Sequence, residues 1–76
     1  MMKDLAELDK DTLFKFDYDP NAVYVVEGED GEGERLDNIR VRRVAFKSQD
    51  RWVFVSAEDW HPANPYAHVQ VVTFDA

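Results

Sequence analysis

The chain contains no cysteine. Disulfides, thiolate metal sites and cysteine nucleophiles are therefore excluded. Glycine and proline are scarce, three of each in 76 residues, and each falls where a chain would turn or stop. Two serines and two threonines leave few hydroxyls for covalent catalysis. No apolar run approaches the length that crosses a bilayer, and the opening MMKDLAELDKD lacks the apolar core of a signal peptide. These absences point to a single cytoplasmic domain, residues 1–76, with a thin core, since a chain this short buries only about 60% of its unfolded surface.

Aromatic and β-branched residues are plentiful. Ten aromatics, ten valines and one isoleucine favour sheet over helix. Residues 3–10 suit a short helix, with Leu5 and Leu8 three apart and acids near its start. Leu13 to Tyr18 alternates Phe14, Phe16 and Tyr18 with Lys15 and Asp17, the pattern of a strand with one wet face; Asp19-Pro20-Asn21 reads as the turn that ends it. Ala22–Glu27 reads as a second strand, apolar on both faces. The glycines of 28–34 suit a turn, and Leu36–Lys47 should return antiparallel.

That returning segment contains a conflict of parity. Ile39 and Val41 share one face, Val44 and Phe46 the other, and a bulge near Arg42-Arg43 removes the conflict. A hairpin tipped by Gln49-Asp50 sets Phe46 opposite Val53 and Val44 opposite Val55 on one face, with Lys47 opposite Trp52 and Ala45 opposite Phe54 on the other. Ser56–Trp60 suggests one helical turn, His61–Tyr66 a proline-stiffened loop, and His68–Phe74 a last strand. The expected fold is mainly β: a small five-stranded antiparallel barrel or strongly curved sheet. A short N-terminal helix precedes it, and a helical turn precedes the last strand. SH3-like and OB-like barrels resemble this strand count and spacing, although no family motif is present.

Charge is unevenly spread. The net of −7 divides into −8 over residues 1–34, +4 over 35–54 and −3 over 55–76. Two surfaces follow. The first is an acidic hairpin tip, Glu27, Glu29, Asp30, Glu32 and Glu34, with an aromatic loop of Trp60, His61 and Tyr66. Tryptophan and tyrosine are favoured anchors at protein interfaces. This combination suits a non-enzymatic module binding a protein with a basic surface. Its sharper form is an inhibitor that imitates nucleic-acid charge, and small acidic inhibitors from phages and mobile elements resemble this chain in size and charge. The second surface is a basic band, Arg40, Arg42, Arg43, Lys47 and Arg51 with Trp52, which suits single-stranded nucleic acid. A solvated hairpin and ordinary cross-strand ion pairs explain the same residues without any partner.

Other motifs are weaker. Asp17-x-Asp19-x-Asn21 begins like a calcium loop but has Ala22 where glycine is needed and Gly28 where the bidentate acid is needed. His61 and His68, near Glu58 and Asp59, lack a spacing that fixes metal geometry. No cofactor is expected. The sequence leaves monomer and homodimer equally open.

Overall fold

In a computed structural model, residues 2–30, 38–56 and 58–73 are described. Seven strands form one antiparallel sheet: β1 (Met2–Asp4), β2 (Leu13–Phe16), β3 (Asp19–Asp30), β4 (Asn38–Ser48), β5 (Arg51–Phe54), β6 (His61–Ala63) and β7 (His68–Val71). The pairing order is β1-β7-β2-β3-β4-β5, and β6 also pairs β4. This path is linear, with free ends. The expectation of a five-stranded closed barrel or strongly curved sheet is therefore corrected to an open seven-stranded one.

The helical expectations are corrected as well. Residues 2–4 are a strand, and Leu5–Glu7 forms a single 3₁₀ turn instead of an α-helix. The reason is tertiary. Leu5 and Ala6 donate their N–H groups to the carbonyls of Ala67 and Pro65, at 2.9 and 2.8 Å. Those bonds hold the segment flat against a neighbouring loop, and two turns of isolated helix could not compete. The described residues of 56–60 adopt no helix, and His61–Ala63 is a strand where a loop was expected. No helix among the described residues is long and apolar enough to cross a membrane.

The hairpin of β4 and β5 has the expected register: Ala45 opposes Phe54, Phe46 opposes Val53 and Lys47 opposes Trp52. Gln49 and Asp50 carry φ of 51° and 63°, the positive pair that a tight two-residue hairpin turn requires. The bulge is present too. Tyr24 pairs Arg43 while Val23 pairs Ala45, so Val44 is the extra residue. It lets Ile39, Val41 and Phe46 reach one face despite their opposite parity. A second irregularity lies between Val26 and Gly28, where Gly28 adopts φ 145°, a conformation that side chains resist.

The core cluster joins Leu5, Phe14, Phe16, Val26, Ile39, Val41 and Val69, with Leu8, Tyr24, Ala63 and Ala67 packed against it. The 3₁₀ turn and the loop after β6 thus cover the apolar face of the sheet. Phe14 sits at its centre, edge-on to Phe16 at 5.1 Å and stacked on Tyr24 at 5.9 Å.

Candidate protein-interaction surface

The described part of the acidic segment, Glu27–Asp30, is the end of β3, paired with the start of β4. Glu27 lies at the β3 bulge, and its carboxylate is in an ion pair with Arg42. The contact runs through Arg42 Nη2, while Arg42 Nε is buried without a hydrogen-bond partner. The backbones of Glu29 and Asp30 pair with Ile39 and Asn38. Glu32 and Glu34 lie outside the described residues, as do the side chains of Glu29 and Asp30.

β6 determines what stands beside this arm. His61, Pro62 and Ala63 pair with Val41, Arg40 and Ile39. Glu29, Ile39 and Ala63 therefore lie in one row across three strands, about 10 Å from end to end. β6 thus brings the segment that begins at His61 to within one strand of the β3 residues Gly28 and Glu29. Trp60 is 48% exposed, Tyr66 is 74% exposed, and His61 is also on the surface. Two contacts orient this segment. The Arg40 guanidinium lies 5.6 Å from the Trp60 ring centre, and the His61 ring meets Tyr24 edge-on at 5.7 Å. An Asn64 side-chain bond to the Tyr66 N–H, 2.8 Å, turns the chain after β6.

The basic band is divided by the geometry. Arg42 pairs across from Val25 and Arg43 from Tyr24, so the two point to opposite faces of the sheet. Arg42 engages Glu27. Arg43 makes a bidentate contact with Glu58, at 3.0 and 3.1 Å, and lies over the Phe46 ring. Arg40 is stacked on Trp60. Lys47 and Arg51 are exposed at the β4–β5 turn, and Trp52 is half-buried beneath the Lys15 ammonium. The Arg43 guanidinium is held above its ordinary pKa, chiefly by the hydrogen bonds it donates to the Glu58 carboxylate.

Sequence reasoning did not foresee Glu58 as the partner of Arg43, because fifteen residues and a turn separate them. The bulge at Val44 was the available signal: it determines on which face Arg43 emerges. The histidines are apart, His61 on β6 and His68 on β7, where His68 Nε2 lies 3.7 Å from Asp4. Among the described residues, no three metal-ligating side chains converge.

The Tyr24 hydroxyl sits between the core and this surface. Burial raises its pKa above 10.0, and Asp19 adds to the effect. The folded state thus favours the neutral phenol. Its contribution to stability is complete below the unfolded-state pKa and is lost as pH rises from there through the folded-state value. Urea denaturation across alkaline pH should show stability falling above about pH 10, and Tyr24→Phe should flatten that part of the decline.

No protein-family model matches this chain, and no curated protein or solved structure matches it.

Proposed function

We propose that this protein is a non-enzymatic binding module that docks its acidic β3–β4 arm, together with the Trp60–Tyr66 segment, on the basic surface of a partner protein in the cytoplasm. The observation that carries this reading is the pairing of β6 with β4, which holds exposed Trp60 and His61 one strand away from the β3 residues that lead into the acidic segment. Aromatic anchors supply buried area, and carboxylates around them supply orientation and association rate. The placement of the arginines favours the same reading. Arg42 and Arg43 spend their charge on Glu27 and Glu58, which takes Glu27 out of the proposed anionic surface and leaves the net −7 to the other carboxylates. In its sharper form, the arm stands in for nucleic-acid phosphates within a basic channel and so inhibits the protein that owns it.

Titration with octalysine at low salt tests the proposal, read by Trp60 fluorescence in a Trp52→Phe background. Octalysine should change the emission, and Glu29→Lys plus Glu32→Lys should weaken binding about tenfold or more, an effect that shrinks with added salt. Asp17→Lys plus Asp50→Lys changes net charge equally at a distant place and should weaken it much less. Equal losses from both pairs would reduce the interaction to bulk charge and remove the proposed surface. Tight binding of single-stranded DNA, abolished by Arg40→Glu plus Arg42→Glu, would replace it with nucleic-acid binding.

A further inference from the structure

The segment that carries Trp60 is fastened to β4 at two points. Glu58 accepts two hydrogen bonds from the Arg43 guanidinium, at 3.0 and 3.1 Å, and the Trp60 ring centre lies 5.6 Å from the Arg40 guanidinium. Pro62, two residues further on, pairs across from Arg40, so β6 itself starts beside the same arginine.

Arg40 differs from its neighbours in what its charge meets. Arg42 and Arg43 engage Glu27 and Glu58, whereas among the described residues Arg40 forms no ion pair with a carboxylate. Its Nε is buried without a hydrogen-bond partner, so the stem lies down on the protein. The outer end is confined as well. Gly28 stands opposite Arg40 with φ 145°, and a Cβ at Gly28 would meet Arg40 Nη2 at 3.5 Å, an ordinary contact distance. The guanidinium thus lies close to the Gly28 backbone on a strand already paired with β4. A planar cation confined in this way is a fixed support for an aromatic ring.

Trp60 is supported there and still 48% exposed. A tryptophan held in one orientation gives its area to a partner without the ordering cost that a loose side chain incurs on binding. We infer that Arg40 is the positioning residue of the proposed interface: it holds the Trp60 indole in the orientation that receives the aliphatic stems of the basic partner protein's lysines. The inference rests on the function proposed above and adds to it the residue that sets the anchor.

Two measurements in the Trp52→Phe background test it: the heteronuclear NOE of the Trp60 indole N–H, and calorimetric titration with octalysine. Arg40→Met retains the stem and removes the guanidinium. It should lower the indole NOE while the protein melts close to its parent. The variant also loses a positive charge, which by itself strengthens attraction for a cationic peptide, so loss of positioning and loss of charge move the affinity in opposite directions. Arg40→Met should weaken octalysine binding about threefold. Arg51→Met makes the same charge change at the exposed β4–β5 turn and should leave the affinity equal or tighter. An unchanged indole NOE in Arg40→Met would overturn the inference, and so would octalysine binding that tightens as it does in Arg51→Met; either result leaves the acidic module standing. Absence of octalysine binding to the unmodified protein would remove the module and this inference together.

Discussion

Replacing Phe14 by alanine is expected to lower the melting temperature by roughly 15–30 °C. Phe14 is fully buried and lies between Phe16 and Tyr24, on the central strand to which both β3 and β7 pair. Truncating a buried phenylalanine costs about 3–5 kcal/mol, and the cavity collapses poorly where rigid rings surround it. A domain of this size has on the order of 4–11 kcal/mol in total, so a large share of its stability would go. Thermal melts by circular dichroism measure the change. Phe54→Ala is the control, because Phe54 is 66% exposed and its truncation should cost a small fraction as much. Comparable losses at both positions would mean that the core is not centred on Phe14.

Leu5→Ala should cost roughly 2–4 kcal/mol and act locally as well as globally. Leu5 is the one fully buried side chain of the N-terminal segment among the described residues, and it fastens the 3₁₀ turn to the sheet. Once it is shortened, the bonds from Leu5 and Ala6 to the 65–67 loop have no apolar contact to protect them from water. Urea denaturation should show a lower midpoint with an almost unchanged slope. Native-state hydrogen exchange should show the Leu5 and Ala6 amides opening well before those of β2 and β3. Uniform loss of protection across the chain would contradict this description.

The parts of the fold legible in the sequence were those in which local pattern and tertiary pairing agree. The β4–β5 register followed from three facing pairs and a two-residue tip, and the Val44 bulge followed from the clash of parity between Ile39-Val41 and Phe46. Where the two levels diverge, the reading went astray. Leu5 and Leu8 are three apart, a spacing that fits a 3₁₀ turn as well as an α-helix, and only the bonds to Pro65 and Ala67 decide between them. Phe16 pairs with Asp19, so the reversal falls at Asp17-Tyr18 and Pro20 stands within β3. Proline is tolerated there at the start of a strand, a position that sequence alone does not distinguish from a turn. β6 was missed for a related reason: Pro62 argues against a central strand, but β6 flanks β4 alone. Trp60, His61 and Tyr66 stand out in the sequence by residue type, and all three are exposed. Their adjacency to the acidic arm depends on a long-range pairing that no local signal carries.

Pro62 has one more consequence. It pairs across from Arg40, and a residue without an amide hydrogen fits only where its polar backbone points away from the neighbouring strand. The outer margin of β6 therefore lacks an amide donor at its midpoint, where the Pro62 carbonyl lies 3.4 Å from His61 Nδ1. An incoming strand finds an interrupted template there, so fibre growth by edge-to-edge addition is blocked on that side. A protein that displays aromatic rings beside this margin can stay dispersed at high concentration, and Pro62→Val should make it prone to form thioflavin-positive aggregates.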